Sequence, residues 1–518
     1  MFSDLFIGID IGSSSLKALA VDGASGRAVA VARQALPYER LAGGGCEVRA
    51  GGIEAALDQV LSSVVQQLGP QVAQVRALAC TGHGAGLYAL DGAGQLVQGR
   101  AVASTDQRAQ GRAEALASEQ GQQLFDEAGC APWAGQPLLL AAELLGPDAF
   151  QRGAVQRVLF AKDYLGLLLC GELATDASDA STAGLLSLKS GDWSARAIAA
   201  SGMADVGTHN FVPLRPRGHV IGQLLPARAA RCGLPAGLPV AMGAIDLLAA
   251  MGAVCAQGRG RAVSVLGTWC VNAVSAEVRE PKPAVGAIVN FGDASQRLYM
   301  DNSPSSMANI AWATGALGLP DAQALLDLAM TAPLGAHGLR FLPFVNGGGP
   351  GAGYVGLRSQ HTRADLARAV VDAVAALHAR QLGRLASCGL DVSALTVLGG
   401  GASDIRLVRL LAGFLGRAVE RCADDETSAR GAALCAAQSQ GWQDAADRGS
   451  PAEGARHDHR TEGVRQDVAD DLPQLACAER ACRLDELLLA QRQELGAHQP
   501  GRRHPAQASD HDDDQDEH

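Results

Sequence analysis

At 518 residues, with 47% apolar and 19% charged positions, the chain exceeds what one hydrophobic core supports and calls for two domains. A formal net charge of −11 leaves no general basic field for nucleic acid or an anionic membrane surface, and no apolar run is long enough to span a bilayer. The twelve cysteines are scattered singly, outside zinc-finger or redox spacings, and no signal segment precedes the first strand, so a reducing, cytoplasmic setting is expected.

In chain order, Phe6-Ile-Gly-Ile-Asp10-Ile-Gly12-Ser-Ser-Ser15-Leu-Lys17-Ala-Leu-Ala-Val-Asp22 reads as two strands joined by a turn of glycine and hydroxyl residues. Such a turn presents backbone N–H groups and hydroxyls to an anion. Ile53, Ala56, Leu57, Val60, Leu61 and Val64 recur at helical spacing within Ile53 to Leu68. A strand over Val75 to Cys80 leads into the loop Thr81-Gly-His83-Gly-Ala-Gly86, and two short strands follow around an Asp91-Gly turn. The polar stretch Ala103-Ser-Thr-Asp106-Gln107-Arg108-Ala opens another helix.

Gly237-Leu-Pro239-Val-Ala-Met-Gly243-Ala-Ile-Asp246 predicts a buried strand ending in glycine, with an acid heading the next helix. Asp246 suits a helix cap on its own account, and chemistry is not needed to explain it. The domain junction is placed here, giving a first domain over 1–245 and a second over 246–442. Ala262-Val-Ser-Val-Leu-Gly267-Thr268-Trp-Cys-Val-Asn272 then repeats the design of the first hairpin, with Trp269 read as packing. Gly351-Ala-Gly353-Tyr-Val-Gly356 matches Gly-x-Gly-x-x-Gly, yet the next helix starts only after its cap, Thr362-Arg-Ala-Asp365. A dinucleotide turn must open its helix directly, so this stretch is expected to be a mobile loop or lid. Thr396-Val-Leu-Gly399-Gly-Gly401-Ala402-Ser403-Asp404 closes the series with a strand, a glycine turn and a helix start. The alternation of strands and helices is that of an α/β protein.

From Gln443 to His518 there is no Lys, Phe, Tyr, Trp, Ile, Met or Asn. That composition predicts an atypical polar tail, poorly ordered and without a catalytic role; a shifted reading frame is an alternative origin for it.

The order of these elements is similar to that of the FGGY family of carbohydrate kinases, within the actin-like ATPase superfamily. The resemblance rests on the stretch from Gly8 to Lys17, on Ala161-Lys162-Asp163-Tyr164 with Thr175-Asp176-Ala-Ser-Asp179-Ala-Ser181, and on Gly243 to Asp246. It continues through Gly267-Thr-Trp, Gly399 to Asp404 and Glu426-Thr-Ser-Ala-Arg430-Gly-Ala-Ala-Leu434, and covers roughly Phe6 to Trp442. Gly267-Thr-Trp together with Asp301-Asn302-Ser-Pro-Ser-Ser306-Met-Ala-Asn309 looks closest to the L-xylulose kinase and xylulokinase members.

The resemblance implies two actin-like, ribonuclease H-like domains with a central cleft. It implies transfer of a phosphoryl group from ATP, with Mg²⁺, to a hydroxyl of a small sugar or polyol, a ketopentose such as L- or D-xylulose being favoured. An erythritol- or glycerol-type polyol kinase is the alternative, and a non-catalytic actin-like nucleotide-binding sensor or assembly protein is the alternative from another class. By the same resemblance Asp246 would be the general base and Asp10 would hold Mg²⁺. Gly12, Ser13, Ser14, Ser15, Lys17, Gly267 and Thr268 would meet the phosphates, and Gly399, Gly400, Gly401 and Ala402 would admit the nucleotide. His83, Asp106, Arg108 and Asp246 would line the substrate site. D-xylulose kinases carry a histidine where Ala85 stands, whereas His83 lies two positions earlier. Arg409 and Ala412-Gly413 replace the family's usual glutamine and Ala-Asp or Ala-Asn pair, which leaves the adenine contacts of that helix open. The expected partner is a small sugar or polyol, with a homodimer left open.

Overall fold

The computed structural model describes residues 4–254, 262–279, 285–347, 351–422 and 426–442. The polar tail expected over 443–518 lies outside the described residues.

The first domain is organised on a six-stranded sheet. Its order is Val220–Gln223, Pro239–Ala241, Val75–Gly82, Leu5–Ile11, Ser15–Asp22 and Ala28–Ala35. Leu5–Ile11 pairs antiparallel with Ser15–Asp22 and parallel with Val75–Gly82, which is itself parallel to Pro239–Ala241. Every residue of Leu5–Ile11 is buried, because both faces of the sheet are covered. Leu5, Ile7, Ile9 and Ile11 pack with Ile53, Leu57, Val60, Leu61 and Val64 of helix Ala50–Leu68. The alternate residues Phe6, Gly8 and Asp10 face the other way, where Ala429 and Ala433 of the helix Thr427–Ser439 approach.

The second sheet runs Ala287–Val289, Gln296–Ser303, Cys270–Glu277, Ala262–Leu266, Leu395–Leu398 and Glu420–Arg421. The 25-residue helix Arg363–Ser387 covers it through Val370, Val371, Val374, Leu382 and Leu385. Its start is the expected capping box, in which Thr362 and Asp365 each accept from the other's backbone amide.

The helix Thr427–Ser439 follows the second sheet in sequence but docks on the first. Its small residues permit very close approach. A Cβ on Gly8 would lie 1.8 Å from the Ala429 carbonyl oxygen, and one on Gly431 would lie 1.9 Å from the Ala249 carbonyl oxygen. The helix is therefore wedged between the strand that carries Asp10 and the helix Asp246–Val254.

One expectation is corrected. The glycine stretch over 351–356 is not a free lid, because Gly353–Val355 pairs antiparallel with Arg340–Leu342, and the Tyr354 ring sits 5.1 Å from that of Phe341. Tyr and Val favour a strand, and these contacts outweigh the flanking glycines.

Candidate active site

Three adjacent parallel strands end at one edge of the first sheet, and each delivers a candidate residue there. Asp10 pairs in register with Thr81, Ile11 with Gly82, and Gly82 bridges to Ile245, which precedes Asp246. The His83 amide donates to the Ile11 carbonyl at 3.1 Å. Asp10, His83 and Asp246 are thus gathered at the carboxyl ends of parallel strands, where open α/β sheets bind their ligands.

The first hairpin turns tightly at Gly12, whose amide donates to the Ser15 carbonyl at 2.9 Å, and it sets Lys17 directly across from Asp10. Ser13, Ser14 and Ser15 are partly or fully exposed on this turn. Burial pushes the Asp10 carboxyl up to about 7, with Asp246 adding to the rise and Lys17 opposing it. Its Oδ1 is buried and has no hydrogen-bond partner among the described residues. An orphaned carboxylate oxygen in such a place is a suitable hard ligand for a divalent cation.

Asp246 stands at the head of its helix, where Oδ1 accepts from the Leu247 amide at 2.7 Å. Burial raises its carboxyl to about 6, against the lowering effects of that hydrogen bond and of Lys17. Lys17 therefore counters both carboxylates, and it also pairs with Glu426 at 2.9 Å. Arg33 meets the same glutamate at 2.7 Å. Glu426 and Arg33 received no role from sequence. Only the return of the helix Thr427–Ser439 to the first sheet brings Glu426 to them.

Past the end of strand Val75–Gly82, His83 is buried beside Tyr88 Oη and Ser104 Oγ, each 3.4 Å from a ring nitrogen. Burial lowers its pKa to about 4, so the ring is neutral and acts as one donor and one acceptor. Ala85, in the position where a histidine was considered, is fully buried with a φ of 58°. Asp106 is fully buried: Oδ2 accepts from the Cys46 amide at 2.8 Å and from Arg108 at 2.6 Å, while Oδ1 accepts the Arg108 amide and Nε at 3.0 Å. Arg108 also pairs with Glu47 at 2.7 Å, and its side chain keeps 20% exposure where that of Asp106 has none. Arg108 is the member of this pair that can meet a ligand, and Asp106 fixes its guanidinium.

The second hairpin pairs Leu266 with Cys270 around Gly267, Thr268 and Trp269. Its turn is braced from behind: the carbonyls of Thr268 and Gly267 accept the amides of Ser306 and Met307 at 3.0 Å, which leaves Thr268 exposed. Trp269 packs edge-on against Trp133 of the first domain with ring centroids 5.7 Å apart. The glycine turn lies alongside. Gly399, with φ at 92°, and Gly401 are so close to Leu266 that a Cβ on either would come within 3.0 Å of it, whereas no described residue lies within 4 Å of a Cβ on Gly400. Packing accounts for two of the three glycines, and Gly400 is the one facing open space. Ala402 is buried behind them.

Two sheet domains with a glycine-hydroxyl hairpin in each, and two acids beside a lysine at the strand ends, fit a phosphotransferase that works on a nucleotide. The family comparison gives the particular kind. The N-terminal domain of the FGGY family of carbohydrate kinases matches residues 5–255, and its C-terminal domain matches residues 262–439. The chain belongs to the FGGY family and is a carbohydrate kinase, with ATP as phosphoryl donor. It is 28% identical over 443 residues to the L-xylulose/3-keto-L-gulonate kinase of Escherichia coli, covering 83% of this chain and 87% of that protein. It is 29% identical to the xylulose kinase of the same organism, covering 83% of this chain and 89% of that one. A crystal structure of ligand-bound xylulose kinase from Lactobacillus acidophilus superposes with a TM-score of 0.78 at 18% identity, over 96% of this chain and 99% of that one, a likeness of fold. Among the described residues no helix is long and apolar enough to cross a membrane.

Proposed function

We propose that this kinase phosphorylates a hydroxyl of a ketopentose of the xylulose kind, with Asp246 as the general base. The observation that carries the reading is the setting of Asp246. Its carboxyl is partly buried, raised to about 6, and held by one hydrogen bond at Oδ1, while Oδ2 makes none to a described residue. A carboxylate so placed is ionised at neutral pH yet more basic than a solvated aspartate, which suits it to take the proton of an attacking hydroxyl. The names of the two Escherichia coli relatives support the choice of sugar.

Phosphoryl transfer asks chiefly for positioning and for charge near the γ-phosphate oxygens. The turn amides and hydroxyls of Gly12 to Ser15 and of Gly267 and Thr268 would hold the phosphates between the domains, and Gly400 would let the nucleotide reach the backbone. Asp10 fits Mg²⁺, which would neutralise phosphate charge when bound. Arg108 would hydrogen-bond sugar hydroxyls, with Asp106 and Glu47 fixing its guanidinium, and neutral His83 would add a donor or an acceptor. The first domain thus holds the sugar and the second the nucleotide. The described cysteines are all free thiols, which supports a cytoplasmic site of action.

The test is ADP release, coupled to a reporter reaction, over D- and L-ketopentoses, tetritols, pentitols and glycerol, beside Asp246→Asn. The expected result is turnover with a ketopentose and loss of it in the variant. Preference for glycerol or a tetritol would replace the substrate, and equal turnover by the variant would remove the base.

A further inference from the structure

Behind the cleft, the first domain buries a charged cluster that the reaction described above does not use. Lys162 Nζ, at the start of helix Ala161–Cys170, lies 2.5 Å from Asp163 Oδ1, 3.0 Å from Asp176 Oδ1 and 2.9 Å from Asp179 Oδ2. None of the four side chains is more than 4% exposed. One ammonium among three carboxylates is an expensive thing to bury unless a carboxyl keeps its proton. Burial raises Asp179 well above the ordinary carboxylate range, with Lys162 opposing.

The cluster connects to the cleft through Ser178. Asp176 caps the short helix Ala177–Thr182 by accepting the Ser178 and Asp179 amides, and its Oδ2 also lies 2.5 Å from Ser178 Oγ. The single hydroxyl proton of Ser178 goes to Asp176, so toward its other neighbour the oxygen can only accept. That neighbour is the Ile245 amide, at 3.0 Å, and the next residue is Asp246. From the opposite side Thr81 Oγ1 donates to the Ala244 carbonyl at 2.6 Å. A Cβ on Gly243 would fall 2.0 Å from the Cys80 carbonyl oxygen. The backbone that delivers Asp246 is therefore clamped between the end of strand Val75–Gly82 and Ser178.

We propose that Lys162, Asp176 and Ser178 form a positioning chain for Asp246, fixing the Ile245 amide and through it the place of the carboxylate at the head of its helix. This rests on Asp246 being the general base. Lys162 holds Asp176, Asp176 orients the Ser178 hydroxyl, and the hydroxyl pins the amide. Ser178 touches no reacting atom in this scheme. Its effect is on where the base stands, and a displacement of about 1 Å in such a group can lower turnover roughly 100-fold.

The experiment compares Ser178→Ala and Ser178→Cys with the wild type for melting temperature, KM for ATP and kcat. The thiol fills the serine's space but accepts hydrogen bonds only weakly. A kcat lowered roughly 10- to 100-fold, with a folded protein and an unchanged KM for ATP, supports the chain. A merely structural serine would lower the melting temperature and leave kcat per folded molecule intact, which overturns it. Failure of both variants to fold also overturns it. Asp246→Asn, assayed alongside, separates the two readings: wild-type turnover in that variant removes the base and this inference with it. A dead Asp246→Asn with an unaffected Ser178→Ala removes the inference alone.

Discussion

Gly431→Ala is a substitution for which local and tertiary effects have opposite signs. In a free helix it would stabilise by about 1 kcal/mol through helix propensity. In this position the new Cβ would stand 1.9 Å from the Ala249 carbonyl oxygen, and against ordinary contact at 3.4 Å the shortfall is 3.4 − 1.9 = 1.5 Å. Both sides of the contact are backbone, so no side-chain rotation relieves it and the two helices must move apart. Overpacking of this kind costs about 3 kcal/mol, leaving a net loss of about 2 kcal/mol after the propensity gain. For a domain of this size that lowers the melting temperature by about 4–8 °C. The helix being pushed is the one headed by Asp246, so kcat should fall about 10-fold or more. Calorimetry and steady-state kinetics on Gly431→Ala read both, with Gly252→Ala as the control, since it lies in the displaced Asp246–Val254 helix and no described residue is within 4 Å of its Cβ. A melting temperature that rises equally in both variants would refute the wedge.

Asp10→Asn should abolish turnover while raising the melting temperature of the metal-free protein at pH 8. The folded-state carboxyl titrates near 7 against an ordinary 3.8, so ionising it erodes stability as pH rises between those values, by at most about 4 kcal/mol above both. A lowered melting temperature at pH 8 would contradict this. The kcat/KM of the wild type for the sugar, which follows groups of the free enzyme, should rise with pH and level off above about 6, because Asp246 acts only when deprotonated and its carboxyl is raised to that value; a flat profile from pH 5 to 7 would count against the base. His83→Ala should raise KM for the sugar about 10-fold with KM for ATP unchanged, and because its ring is already neutral above about 4, the wild-type sugar KM should show no histidine titration near neutrality.

Local signals in the sequence were sufficient for the elements that carry the site. The hairpin at Gly12, the helix headed by Asp246 and the capping box at Thr362 are each specified by neighbouring residues, through turn chemistry, periodicity and caps, and the structure has all three. The Tyr354 strand was misread because its pairing with Phe341 spans a glycine-rich stretch, and those glycines outweighed the strand preference of Tyr and Val. Distance along the chain hid Glu426, which is separated from Arg33 by 393 positions and joins the cleft only because a glycine and several alanines let its helix settle on the first sheet. Asp106 was recognisable as an acid in a polar loop, but its complete burial against Arg108 and the Cys46 amide depends on the distant strand Gly45–Arg49.

The placement of Glu426 also changes the meaning of Lys17. A lysine two residues beyond a serine turn suggests a phosphate ligand, yet here its ammonium is shared among Glu426, Asp10 and Asp246. Its positive charge opposes the rise in pKa of both carboxylates, and so it limits the electrostatic strain of the cleft. Phosphate oxygens entering between the hairpins would compete with Glu426 for that ammonium, and Asp10 would then face the cation that accompanies them. On the proposed reading, the acid-rich end of the sheet is unfavourable by itself and would be complementary to a magnesium-bound polyphosphate. That is the charge pattern expected of a site whose binding energy is held for the loaded state.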